Sequence, residues 1–377
     1  MKALIAAYAR TPFHFARKGA LATERPDDLA ATAVTGLLRR TGLDPAYLDD
    51  ILLGCAYPEA AQGNNLARIV GLLAGLPEAL GGMTINRFCG SSMSAIHIAA
   101  AQIEAGLGEA YLCIGVESMT MVPQGGFNFS PHPVLYEKTD AYIAMGETAE
   151  NVAARYQISR ADQEALAVAS HRKAAAAREA GKLNAEIVPV ELAGGELVRA
   201  DGCIRPTTSL EALASLRPAF RPDGVVTAGT SSPLTDGAAV VLVTSEAFAL
   251  RHRLLPLARI RAVATIGLDP AYMGMGPVPA TRKALDRAGL SVDELDVVEI
   301  NEAFASQALA CMRELGLDPA KVNLDGGALA LGHPLGASGA RITGKAAALL
   351  AREKGRYALA TQCIGGGQGI ATVLAAL

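Results

Sequence analysis

The feature that most constrains this chain is that much of it is written twice. Leu37 to Leu53 reads as a helix closed by Gly42-Leu43, a short acidic turn and a strand. Ala284 to Ile300 repeats that order around Gly289-Leu290, an offset of 247 residues (42 to 289). At the same offset Cys89-Gly90-Ser91-Ser92 faces Gly336-Ala337-Ser338-Gly339, and each opens a helix rich in alanine and isoleucine. Tyr111-Leu112-Cys113-Ile114-Gly115 resembles Thr361-Gln362-Cys363-Ile364-Gly365 at an offset of 250 (113 to 363). Three matches in one order at nearly one spacing mark an internal duplication.

Within each half, strand-like runs alternate with helical ones. Leu112–Val116, Ile260–Ile266, Asp296–Ile300, Tyr357–Gln362 and Ile370–Leu374 read as strands, and Thr281–Ala288 as a helix. This alternation predicts an α/β fold: two mixed-sheet halves covered by helices around a pseudo-twofold axis. The expected division is 1–247 and 248–377. Residues from about 118 to 224 do not fit the repeat and read as an inserted cap. An insertion of that length is usually functional. With 377 residues, 51% of them hydrophobic, there is enough material for two cores.

The charge balance removes whole classes of partner. A net charge of −3 offers no general attraction to nucleic acid or anionic lipid, so any anion must be met by local arginines. Cys55, Cys89, Cys113, Cys203, Cys311 and Cys363 form no CxxC pair, which suits free thiols in a reducing compartment. No run approaches the roughly 20 apolar residues of a membrane span. The first residues, Met1 to Tyr8, lack a secretory pattern, so a cytoplasmic location is expected.

Two cysteines stand in glycine-rich settings. Cys89, in Asn86-Arg87-Phe88-Cys89-Gly90-Ser91, precedes a helix expected over Ser91–Ala105, with Met93, Ile96, Ala100 and Ile103 on one face. That helix end is expected to lower its thiol pKa and make it a nucleophile. Cys363 ends a strand before Gly365-Gly366-Gly367-Gln368-Gly369, whose N–H groups suit a developing oxyanion. His333, in Gly332-His333-Pro334, is the candidate base, and the surrounding glycines suggest that space is needed near its ring. Asn301 ends the matching strand, where its amide is placed to hold a water. Read singly, Cys89 is also compatible with a buried structural cysteine and His333 with a turn residue capping a helix.

Together, Asn86-Arg87-Phe88-Cys89-Gly90-Ser91, Asn301-Glu302-Ala303-Phe304, Gly332-His333-Pro334 and Cys363-Ile364-Gly365 resemble the four signature blocks of the thiolase family, in the family's order. The resemblance implies the duplicated thiolase fold and thiolytic cleavage of 3-ketoacyl-CoA to acetyl-CoA and a shortened acyl-CoA. It gives Cys89 as the acylated nucleophile, His333 as its base and Cys363 as the acid that protonates the enolate. Asn301 holds a water for one oxyanion site, and the backbone N–H groups of Cys89 and Gly365 form the other. For CoA it implies Arg205 near the adenine, Ser232 at the pantetheine and Met273 along the tunnel, with Arg217 and Arg221 at the phosphates. No metal or permanent cofactor is implied, with CoA a co-substrate. A homodimer or homotetramer is expected, and degradative members pair at times with a hydratase–dehydrogenase subunit.

Thr227-Ala228-Gly229-Thr230-Ser231-Ser232 and Gln362 to Ala371 resemble the degradative, β-oxidation branch. Acetoacetyl-specific biosynthetic thiolases usually carry a histidine immediately before Met145-Gly146, where this chain has Ala144. That departure would widen or depolarise the acyl pocket and argues against strict acetoacetyl specificity, with an acetoacetyl-CoA thiolase kept as the alternative. A decarboxylating condensing enzyme would place histidine or asparagine at Cys363. A non-catalytic CoA- or lipid-binding homologue has no need of the whole set. A dinucleotide enzyme would show GxGxxG after its first strand, which is absent here.

Overall fold

The computed structural model describes residues 1–377. The chain opens with β1 (Ala3–Arg10), a short β2 (His14–Phe15) and α1 (Pro26–Thr41). Then come β3 (Asp50–Gly54), α2 (Leu66–Leu73), β4 (Met83–Ile85), α3 (Ser91–Ala105) and β5 (Ala110–Ser118). Helix α1 shows why such segments start and stop where they do. Pro26 opens it, Asp27 and Asp28 sit in its first turn, Arg39 and Arg40 in its last, and Gly42 closes it at φ 66°.

After β5 come α4 (Pro133–Lys138), α5 (Met145–Arg155), α6 (Arg160–Glu179), a small ribbon of β6 (Val190–Glu191) and β7 (Leu197–Val198), and α7 (Leu210–Ala214), over the segment expected to form a cap. The chain returns through β8 (Thr235–Ser245) and α8 (Glu246–Arg251). The second half comprises β9 (Ala258–Gly267), α9 (Pro277–Ala288), β10 (Val297–Ile300), α10 (Ala305–Leu315), α11 (Ala328–Leu331), α12 (Leu335–Glu353), β11 (Tyr357–Ile364) and β12 (Gln368–Ala375).

The main strands run in the order β10-β11-β12-β9-β1-β8-β5-β3-β4, and two residue pairs between β1 and β9 join the halves. Parallel pairs lie towards the two ends of the sheet (β4 and β5 on β3, β10 on β11), and antiparallel pairs fill its middle. Side chains alternate across each strand. In β5, Tyr111 and Cys113 enter a core shared with α3 and α12, while Leu112, Ile114 and Val116 pack towards α1 and α2. In β11, Ala358 and Ala360 enter the shared core, and Leu359 packs with α9 and α10. Helices α3 and α12 therefore lie between the two sheet halves, with α1/α2 and α9/α10 outside.

The ladders correct one sequence match. Leu52 pairs with Cys113 and Glu299 with Ala360, so with Leu52 matched to Glu299 at 247, Cys113 is matched to Ala360. Cys363 corresponds to Val116 rather than to Cys113. The similarity at 250 is off register, and an odd slip of three residues reverses the face of every side chain.

Candidate active site

The halves bring Cys89, His333 and Cys363 to one cavity of about 1150 Å³, which Gly365, Met273, Ser232 and Arg205 also line. Cys89 sits in a single 3-10 turn, Phe88–Gly90, that leads into α3. Gly90 is needed there because a Cβ would lie 2.4 Å from Ile364 Cδ1 on β11. Cys89 O accepts a hydrogen bond from the Gln362 amide, which ties that turn to the strand bearing Cys363. Its side chain rests among Ala16, Ala56, Tyr57, Met119 and Leu335.

The expected depression of the Cys89 thiol is not what the site produces. Burial pushes it up to about 12, and the negative charge of Glu117 adds to this. The backbone N–H groups of Gly365 and Cys89 face the sulfur and act in the opposite direction, but desolvation outweighs them. At neutral pH the resting site therefore holds a thiol. Burial, followed by the neighbouring Cys89, also holds Cys363 well above the usual thiol range.

His333 lies between α11 and α12, 5% exposed. Gly332 precedes it at φ 100°, where a Cβ would meet Thr235 Oγ1 at 2.5 Å. The His333 N–H donates to that same hydroxyl oxygen at 3.1 Å. Nδ1 is 2.5 Å from Ser338 Oγ, and the Ser338 hydroxyl donates to Pro334 O at 3.2 Å. With the serine proton engaged there, Nδ1 carries the imidazole hydrogen and Nε2 is left as the basic nitrogen. Burial, then the positive Arg341, lowers the His333 pKa to about 3, so the ring is neutral. Ser338 is a site residue that sequence reasoning missed, although its spacing of five from the histidine, at the first turn of a helix, was visible.

Asn301 follows β10, fully buried beneath the cavity floor rather than lining it. Its Nδ2 lies 3.3 Å from His333 Nε2 and 3.4 Å from Nδ1, and its Oδ1 has no protein partner. The loop after Asn301 is held to the Thr227–Ser232 segment, where Ser232 N–H donates to Ala303 O at 3.0 Å.

The arginines divide. Arg205 lines the cavity and is exposed, its guanidinium 5.0 Å from the Phe15 ring centroid. Lys18 lines the same opening, 4.8 Å from the same ring, and was not singled out from sequence. Arg217 and Arg221, expected near a substrate's phosphates, do not line the cavity. Arg217 is exposed, and Arg221 is paired with Glu147 at 2.5 Å and bonded to Asn151 at 2.7 Å, inside the cap. Ala144 and Met145 do face the cavity, beside Phe220 and Phe304.

Two family models match the chain: thiolase, N-terminal domain, over residues 3–247, and thiolase, C-terminal domain, over residues 254–376. A 3-ketoacyl-CoA thiolase of Saccharophagus degradans is 48% identical, covering 98% of this chain and 97% of the relative. A 3-oxoadipyl-CoA/3-oxo-5,6-dehydrosuberyl-CoA thiolase of Escherichia coli is 47% identical, covering 94% and 95%. Human mitochondrial 3-ketoacyl-CoA thiolase superposes with a TM-score of 0.92 at 40% identity, covering 99% of this chain and 98% of that one. The same human enzyme in complex with CoA superposes at 0.92 and 39% identity, covering 100% and 98%.

Proposed function

The chain belongs to the thiolase family, and on that premise we propose that it cleaves 3-ketoacyl-CoA with CoA, through an acyl group on Cys89, in fatty-acid β-oxidation. The observation that carries the reading is one cavity lined by two protonated thiols and a neutral imidazole.

The chemistry follows from those states. His333 Nε2 takes the Cys89 proton as the sulfur attacks the 3-keto carbon, so the raised thiol ionises only when a substrate is in place. The C2–C3 bond breaks and its electron pair goes to C2 as the acetyl-CoA enolate. His333, now charged, and a water held by Asn301 stabilise that enolate oxygen. Cys363 gives its proton to C2, and acetyl-CoA leaves. A second CoA thiol returns a proton to Cys363 and attacks the acyl group on Cys89. The Cys89 and Gly365 N–H groups hold the tetrahedral oxyanion, each contributing about 3 kcal/mol to the barrier. The released Cys89 sulfur recovers its proton from His333.

Ser232 and Met273 line the path for pantetheine, and Arg205 with Lys18 at the opening meets the nucleotide end. A homodimer or homotetramer in the cytoplasm is part of the same reading. The homodimer is supported by the exposed edge strand β4, where Met83 is 40% exposed. Association with a hydratase–dehydrogenase subunit belongs to it as well. No helix is long and apolar enough to cross a membrane.

The test is CoA-dependent thiolysis of acetoacetyl-CoA beside medium- and long-chain 3-ketoacyl-CoA, with Cys89→Ala and Cys363→Ala as controls. Cleavage of the longer substrates, lost in both variants, supports the reading. Turnover of acetoacetyl-CoA alone overturns the degradative assignment.

A further inference from the structure

The glycines around His333 do not open space for substrate alone. Gly327 and Gly336 stand on either side of it, and each makes room for a carboxylate. A Cβ on Gly327 would lie 2.1 Å from the Glu302 carboxyl carbon, and one on Gly336 would lie 2.8 Å from Glu117 Oε2. Neither carboxylate lines the cavity, neither pairs with a cation, and they are 3% and 0% exposed.

Glu302 grips the chain before the histidine. Its Oε2 accepts from Leu329 N–H at 3.1 Å and from the Ser170 hydroxyl at 2.7 Å. Ser170 Oγ in turn accepts Gly327 N–H at 3.0 Å, and Glu302 Oε1 accepts from Asn323 Nδ2 at 2.8 Å. Glu117 grips the chain after it. Its Oε2 accepts Gly336 N–H and Ala56 N–H, both at 2.8 Å. Its Oε1 accepts from Gln62 Nε2 at 2.9 Å and Tyr57 N–H at 3.2 Å. Ala56 and Tyr57 are two of the residues packed against Cys89. One carboxylate rises from the first half at the end of β5, the other from the second half beside Asn301.

Resting on the thiolase reading, we propose that Glu117 and Glu302 are paired positioning residues that clamp the His333 loop on both sides and set the imidazole between Cys89 and Asn301. A buried carboxylate without a cation is costly unless every lone pair is used, so each holds its donors in a single arrangement. Glutamine at either position keeps the shape but replaces one acceptor oxygen with an NH₂, which opposes an N–H donor now held. The loop shifts, while the walls that bind CoA stay as they are.

The experiment is steady-state thiolysis by Glu117→Gln and Glu302→Gln, with iodoacetamide alkylation of Cys89 in the absence of substrate. The expected result is a kcat lower by about 100-fold, the effect of an ångström-scale misplacement, with KM within about threefold of the parent. Because the charge on Glu117 opposes the Cys89 thiolate, Glu117→Gln is expected to speed alkylation even as it slows turnover. The readout that a merely structural role would not move is the split between a lowered kcat and an unchanged KM in folded protein. Where a Gln variant fails to fold, Ser170→Ala removes one bond to Glu302 remote from the cavity and is expected to lower kcat about threefold at constant KM. Turnover within twofold of the parent in the folded variants overturns the clamp, as does a loss carried by KM. Parent protein that cleaves no 3-ketoacyl-CoA overturns the thiolase reading instead, and crystal structures of the two Gln variants then decide the clamp: a His333 loop unmoved in both overturns it.

Discussion

His333 Nδ1 and Ser338 Oγ lie 2.5 Å apart, and that contact decides which ring nitrogen is basic. The serine sits on the first turn of α12, so the histidine's tautomer is set by the helix that follows it.

Ser338→Ala is therefore expected to cost about 10- to 100-fold in kcat with KM little changed, since the ring loses the partner that fixes its tautomer and orientation. Thiolysis kinetics check it. Activity within twofold of the parent would mean that the serine only caps the helix.

The Cys89 thiol, raised to about 12 by burial, is mostly protonated at every pH below that value. Alkylation by iodoacetamide in substrate-free protein is expected to keep rising through pH 9 and 10. A free cysteine levels off above about 8.5. A plateau below pH 8 would show that the resting site already holds a thiolate–imidazolium pair.

Cys363→Ala removes the proton carrier but leaves Cys89 and His333 in place. Solvent deuterium exchange into the methyl group of acetyl-CoA is expected to disappear, while transfer of an acyl group from acyl-CoA to Cys89 is slowed, because the departing CoA thiolate loses its proton donor, but still goes to completion. NMR follows the first and mass spectrometry of intact protein the second. Exchange that persists would assign the proton to another group.

Arg205→Ala is expected to raise KM for CoA several-fold, because the side chain lines the opening. Arg221→Ala is expected to leave that KM alone and to destabilise the cap instead, since its partners are Glu147 and Asn151. Titration calorimetry with CoA and a thermal melt separate the two effects. A rise in KM on Arg221→Ala would restore it to the nucleotide site.

Gly339→Ala sets two effects against each other. Alanine favours a helix by about 1 kcal/mol, yet the new Cβ would sit 2.3 Å from Met93 N where α12 crosses α3. A backbone atom cannot swing aside, so net destabilisation of about 1–3 kcal/mol is expected in urea titrations. A more stable variant would mean that the two helices separate freely.

Local chemistry made part of this site readable. The span Ser91–Ala105 is the helix observed, and Cys89, His333 and Cys363 are brought together as their glycine settings suggest. What stayed hidden depends on distant partners. Nothing around Arg221 in sequence announces Glu147, and nothing around Glu117 announces Gly336, 219 residues away. The thiol's direction of shift was misjudged for a similar reason. A helix end is a local feature, whereas the burial that outweighs it comes from residues of both halves.

At the register of 247 every reactive position has a mate. Cys89 answers to Gly336, His333 to Asn86, Asn301 to Gly54 and Cys363 to Val116. The doubled scaffold thus carries two copies of each of these positions, and the proposed reactive side chain stands on one copy of each. The empty mate has become mortar: Gly336 and Gly54 are the places where backbone presses on backbone between strand ends and helix starts. On the proposed function each chain loads a single acyl group per turnover, and the symmetry that built it survives only in the frame.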